Sequence, residues 1–251
     1  MPTLPDIIDE ANRIMSEAQR EHLHLRLIGG LAVRMHSSNL DHFNLQRSYP
    51  DIDFVADRHE QRRLGNFFSS IGYLPDKAFN TLNGGRRQIY YDTQIGRHID
   101  IFVGDFEMCH KLPLRDRLGL HPVTLPLAEL FLTKTQIVEL NRKDALDLIA
   151  LLLDNDLGAG DEGMINLERV QRLCSRDWGL YTTTMINLNK LEQMLNNENP
   201  GLSEGQSRLV LQRIQQIRSA MQSASKPLLW KARDRVGTRL RWYAEVEEVD
   251  R

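Results

Sequence analysis

The sequence predicts a mixed α/β domain followed by an all-helical one, and three observations carry that prediction. Up to about residue 154, short runs with strand-like alternation are interleaved with runs of helical period. The stretch "NDLGAGDEG" at 155–163 is rich in Gly and Asp and reads as a break. Beyond it, every apolar pattern is helical. The expected domains are residues 1–156, a mixed sheet with flanking helices, and residues 157–251, built of helices alone.

Each element has its own signal. Ile7, Ile8, Ala11, Ile14, Met15 and Ala18 recur at helical spacing, so residues 4–21 read as an amphipathic helix. "LHLRLI" at 23–28 alternates as a strand, Gly29-Gly30 ends it, and "LAVRMH" starts a helix. Residues 38–50 are polar and irregular. "DIDFVA" is a strand, and "RHEQRRLGNFFSSIG" is a helix stopped by Gly72. "RRQIYYD" and "RHIDIFVGDF" are strands joined through "TQIG". Pro122 and Pro126 bracket a short extended piece, after which "LAELFLTKTQIVEL" and "RKDALDLIALLLD" are helices. The C-terminal helices are expected at 165–175, 178–196, 203–223 and 227–246.

Composition narrows the class. A chain of 251 residues with 41% hydrophobic and 26% charged content is an ordinary globular protein. A net charge of -2 gives no global pull toward nucleic acid or a membrane surface. No apolar run approaches the roughly 20 residues of a membrane helix. The acidic, amphipathic start is not a secretory signal. Cys109 and Cys174 lie far apart and read as buried small hydrophobes, which fits a cytoplasmic protein. There is no GxSxG, no P-loop and no His/Cys zinc spacing, so hydrolase and P-loop kinase chemistry lack support.

The chemistry lies in "RSYPDIDFVAD". Residues i and i+2 of a strand point the same way with Cα atoms about 6.5 Å apart. Asp51 and Asp53 therefore share a face, while Ile52 and Phe54 take the other. Two carboxylates so close repel, and a divalent cation resolves the conflict. In "RHIDIFV", Asp100 alternates with Ile99 and Ile101 and adds a third carboxylate on a second strand. Such a set suits two metal ions and in-line nucleotidyl transfer. Alone, a DxD pair is more often an exposed strand end or turn. Here it follows strand–Gly-Gly–helix, where backbone amides can approach a phosphate.

The order "IGG … DIDF … HIDIF" resembles the nucleotidyltransferase fold of the DNA polymerase β superfamily. The resemblance covers roughly residues 23–154. It implies that Gly29 and Gly30 cradle phosphate, that Asp51 and Asp53 bind metal, and that Asp100 helps to activate the attacking hydroxyl. It implies two Mg2+ ions, with Mn2+ as a substitute, and a nucleoside triphosphate donor. Arg47, four residues before Asp51, and "TKTQIVELNRKDALDL" are similar to the abortive-infection type of nucleotidyltransferase toxin. There Lys134 would contact the triphosphate and Asp144 would be the later acid. The acceptor is left open among RNA, a small molecule and a protein. The chain departs from the family in the long gap between Gly30 and Asp51, which reads as an inserted loop.

Plainer readings stand beside several of these. Arg86 and Arg87 after "NGG" read first as exposed hairpin charges, and second as groups that reach a triphosphate or an acceptor. Asp144 sits where an acid favours the helix dipole. Lys134 either looks into a cleft or snorkels. His98 neighbours Asp100 by alternation and reads as lining the site or pairing with a carboxylate rather than binding zinc. Lys231, Arg235 and Arg239 form a stripe that could track a nucleic-acid backbone, though a solvated helix face is the simpler account. The reading that competes with catalysis is a nucleotide- or partner-binding regulatory module on the same fold.

Overall fold

The computed structural model describes residues 3–37, 49–198 and 200–246. These divide into two compact units. The first comprises residues 3–35, 49–107 and 113–126, and the second comprises 36–37, 108–112 and everything described from Leu127 onward. The division after Pro126 lies well before the Gly/Asp-rich stretch at 155–163, which falls inside the second unit.

In the first unit the elements are α1 (Ile7–Arg20), β1 (Leu25–Ile28), α2 (Gly29–Met35), β2 (Asp51–Ala56), α3 (Gln61–Ser70), β3 (Leu74–Pro75), α4 (Lys77–Asn83), β4 (Arg87–Asp92), β5 (Arg97–Val103) and β6 (Phe106–Glu107). Five strands form a mixed sheet in the order β1-β2-β5-β4-β3. β2 and β5 run parallel, while the β1–β2, β5–β4 and β4–β3 pairs are antiparallel. The mixed α/β class and the helical C-terminal region are as the sequence predicts. The extended piece between Pro122 and Pro126 lies along the open edge of β1. Leu27 donates to the Val123 carbonyl at 2.9 Å, and Leu125 donates to that of Leu27 at 3.1 Å. An edge so covered cannot pair with another chain there.

The sheet has two chemically different faces. Ile52 and Phe54 on β2, Ile99 and Ile101 on β5, and Tyr90 on β4 share one face, and all are buried. Phe68 of α3 covers them, with its ring 6.4 Å from that of Phe54 and stacked 4.7 Å from that of Tyr90. Ala11, Ile14, Met15 and Ala18 of α1 are buried as their spacing predicts. Full burial of side chains of this size stabilises by about 1.5–3 kcal/mol each. Alternation then forces the residues between them onto the opposite face, where the charges sit.

Two features of this unit stand outside the sequence reading. Residues 77–83 form α4, and Gly84 is its C-cap, not a hairpin turn. Asp76 caps the helix by accepting from the Phe79 amide. A second surprise is the acid Glu10 at the buried face of α1. It accepts from Arg13 Nε at 2.8 Å, Arg13 Nη2 at 2.6 Å, the Tyr73 hydroxyl at 2.7 Å and the Leu4 amide at 3.0 Å. Burial raises its pKa, but these bonds outweigh burial and hold the carboxyl below its ordinary 4.5. A depressed carboxyl contributes stability above its unfolded pKa and loses it as pH falls through the folded one. Glu10→Gln should cost about 1.5–3 kcal/mol at neutral pH. Urea unfolding should show that gap closing as pH drops below 4.5. A gap independent of pH would mean that Glu10 acts by shape alone.

The second unit contains β7 (Lys111–Leu112), α5 (Leu127–Thr135), α6 (Arg142–Asp154), β8 (Asp156–Gly158), β9 (Met164–Asn166), α7 (Leu167–Arg176), α8 (Trp178–Asn197), α9 (Glu204–Ser223) and α10 (Leu228–Val236). The Gly/Asp-rich stretch is flanked by the parallel pair β8–β9. α5 ends at Thr135, five residues before its apolar run does, because the Asn187 amide donates to the carbonyls of Thr135 and Ile137 at 2.9 and 2.6 Å. α10 ends at Val236, ten residues early, at Gly237 with φ 62°. The expected basic stripe is therefore broken. Lys231 and Arg235 lie on α10, but Arg239 belongs to a 3₁₀ turn beyond the glycine. The helix is instead anchored through Trp230, which donates to the Cys174 carbonyl at 3.2 Å. No helix among the described residues is long and apolar enough to cross a membrane.

Candidate active site

The strand register brings two of the three predicted carboxylates side by side. Asp53 on β2 pairs with Asp100 on β5, and Asp51 pairs with His98. Register partners on adjacent parallel strands lie about 4.8 Å apart and direct their side chains to the same face. Asp51, Asp53, His98 and Asp100 thus share the face opposite Phe54. Ile89 and Tyr91 of β4 join them there, and the Tyr91 ring meets that of His98 edge-on at 4.6 Å.

Arg87 is the residue that sequence reasoning misjudged. It is not an exposed hairpin charge. It opens β4 with its side chain only 19% exposed, and its guanidinium grips Asp100 with two parallel bonds. Nε donates to Oδ1 at 2.8 Å and Nη2 to Oδ2 at 2.5 Å. The same guanidinium lies 5.1 Å from the Phe102 ring centre and 5.9 Å from that of Phe79. Burial lowers its pKa, but the bonds to Asp100 and the charges of Asp100 and Asp53 raise it further, so the group is held firmly protonated. Alternation within "RQIYYD" places Arg87 on the face of Tyr91. Only the antiparallel register, Arg87 opposite Phe102, brings it diagonally onto Asp100.

Gly29 is explained by packing. It stands at φ 71° as the first residue of α2, directly after β1, and a Cβ built there would fall on the Asp53 carboxylate. Ile28, the register partner of Asp53, sets that approach. The missing side chain is the room that Asp53 occupies. Gly30 is buried in the first turn of α2, which is only seven residues long. Gly29→Ala should destabilise by about 1–3 kcal/mol from backbone strain alone. Denaturant unfolding would measure this, and a neutral result would show that both the backbone and Asp53 yield easily.

The other predicted residues are placed as follows. Lys134, in the second unit, is buried and bridges two acids of α6. Its ammonium is 2.5 Å from Asp144 Oδ1 and 2.9 Å from Asp147 Oδ2. Asp144 also accepts from the Asn141 side-chain amide at 2.8 Å. This explains a lysine within an apolar run, because α5 buries all nine of its residues and the charge is met by partners. Arg47 lies outside the described residues. A surface pocket of the second unit, lined by Leu157, Leu167, Gln215, Gln216 and Ser219, carries no charged group.

The carboxylate face fits a divalent cation in donor chemistry. It offers oxygen ligands from adjacent strands, and a cation of the protein's own is already drawn onto it. It is not a finished ligand set. Among the described residues, no three His, Cys, Asp or Glu side chains are gathered to hold a metal ion. Both oxygens of Asp100 are engaged by Arg87.

No known family model matches the chain, and no curated protein resembles it in sequence. Among solved structures it is similar to the antibiotic-resistance factor ANT(2'')-Ia, at 8% identity and a TM-score of 0.34, over 86% of this chain and 94% of that one. It is also similar to JHP933 from Helicobacter pylori, at 14% identity and a TM-score of 0.39, over 85% of this chain and 91% of that one. Both likenesses are distant.

Proposed function

We propose that the chain is a metal-dependent nucleotidyltransferase, which moves a nucleoside monophosphate from a nucleoside triphosphate to an acceptor hydroxyl and releases pyrophosphate. The observation that carries this reading is the register of Asp53 with Asp100, with Asp51 on the same face of β2. Asp51 and Asp53 would hold the metal, joined by Asp100 once Arg87 has let it go. A bound divalent cation supplies charge neutralisation at the transferring phosphoryl group. Asp100 orients the acceptor hydroxyl and receives its proton. Gly29 lets Asp53 stand close to the β1–α2 turn, where its carboxylate fills the room that a side chain would take. The acceptor class stays open among RNA, a small molecule and a protein.

One observation favours the other reading, a binding module without catalysis: the grip of Arg87 on Asp100 satisfies the third carboxylate without any metal. Two measurements separate the two readings. The chain is incubated with α-labelled nucleoside triphosphates, Mg2+ and separate pools of RNA, protein and small hydroxylic acceptors. Label in one pool, lost with Asp53→Asn, supports transfer. Thermal stabilisation by nucleotide that ignores Mg2+, with no pool labelled, supports the binding module.

A further inference from the structure

We infer that Arg87 is a built-in counter-ion that competes with the divalent cation for Asp100, so that metal loading is an exchange rather than a filling. The inference rests on the nucleotidyltransferase reading and deepens it. Three features of the first unit carry it. The contact is bidentate, at 2.8 and 2.5 Å, so it uses both oxygens that a metal would need. It is largely desolvated, with side-chain exposures of 19% for Arg87 and 13% for Asp100, so the pair is not a loose surface contact. Its charge also feels Asp53, the register neighbour of Asp100, so the guanidinium stands in the field of the carboxylates that a metal would bridge.

The consequence is a set order of events. With no metal, like charges on Asp53 and Asp100 would repel at neighbouring register positions, and Arg87 offsets that repulsion. A divalent cation held by Asp51 and Asp53 would repel the guanidinium and compete with it for Asp100. Arg87 must then turn away from Asp100. It stays beside Phe79 and Phe102, whose ring faces keep a cation favourably placed. A guanidinium released in that place is free to meet an anion, and the anion that arrives with the metal is the nucleotide's phosphate chain. Arg87 is thus a positioning residue for Asp100 in the free protein and a phosphate ligand in the loaded one.

The test is Mn2+ binding followed by electron paramagnetic resonance, in the absence of nucleotide, on the full chain. Arg87→Met removes the competitor and should bind Mn2+ at least about tenfold more tightly, the equivalent of 1.4 kcal/mol. Arg87→Lys keeps the charge but not the fork, and should fall between wild type and Arg87→Met. If Arg87→Met folds poorly, wild type still decides: the Arg87 Nε–H resonance, assigned by 15N labelling, should shift on saturation with Mg2+. Equal Mn2+ affinity in wild type and both variants, or an Nε–H signal unmoved by Mg2+, overturns the inference. If binding in those samples is still abolished by Asp53→Asn, the nucleotidyltransferase reading survives that failure. If Mn2+ binding is absent or indifferent to Asp53→Asn, the reading and the inference fall together.

Discussion

Asp53→Asn is expected to reduce nucleotide transfer by at least about a thousandfold while leaving the fold intact. Asparagine keeps the size and one acceptor oxygen, so the close approach to Gly29 is undisturbed. What it removes is the charge. Metal neutralisation of the transferring phosphoryl group is worth several kcal/mol, and about 4 kcal/mol corresponds to a thousandfold in rate. The effect on stability is the balance of two terms. The variant relieves repulsion from Asp51 and Asp100, and it weakens the attraction to Arg87. These oppose each other, so the metal-free melting temperature should change little or rise. Mg2+-dependent stabilisation by nucleotide should disappear. A large fall in melting temperature without metal would show instead that Asp53 is there to anchor Arg87 and the sheet.

That balance marks where sequence reasoning reaches its end. Alternation in "DIDFVA" and "RHIDIFV" fixes which side chains share a face, because a strand has a period of two and nothing else enters. The parallel pairing of β2 with β5, and the step that sets Asp53 beside Asp100 and not one residue along, come from the crossover through α3, β3, α4 and β4. No local pattern encodes that distance. Arg87 shows the same limit. The face it occupies could be inferred from "RQIYYD", but its partner depends on register with a strand that follows it, and "NGGRR" looks like an exposed turn until α4 is known to precede it. Helix ends were misjudged wherever a distant group decided them. Asn187 engages the carbonyls at the end of α5 from 52 and 50 residues away, through its side-chain amide to Thr135 and Ile137. Gly237, by contrast, is a local signal: at φ 62° it ends α10 without help from a distant group.

Lys134→Ala is expected to cost about 3–5 kcal/mol of stability, the usual result of removing one member of a buried ion pair. The ammonium is buried between Asp144 and Asp147, and Asp147 is only 3% exposed. Burial lowers the lysine's pKa, but Asp147 and Asp144 together raise it above the ordinary 10.5. A raised lysine pKa contributes stability that is complete below the unfolded value and lost only as pH climbs through the folded one. The lysine therefore keeps its charge throughout the neutral range and up to at least 10.5. Removing the lysine takes the buried countercharge from Asp144 and Asp147, which must then stay charged without it or take up a proton, and both routes are unfavourable at neutral pH. This account competes with the triphosphate contact implied by the family resemblance. Two carboxylates outnumber one ammonium here, so the local field does not favour a phosphate unless the acids move away. Guanidinium unfolding and calorimetric titration of nucleoside tri- and monophosphates, run on wild type and Lys134→Ala together, decide between them. A large stability loss with both nucleotides weakened alike assigns Lys134 to the helix packing of α5 on α6. A small stability loss with the triphosphate weakened by ten- to hundredfold, as about 1.5–3 kcal/mol for a charge-assisted hydrogen bond requires, assigns it to the substrate.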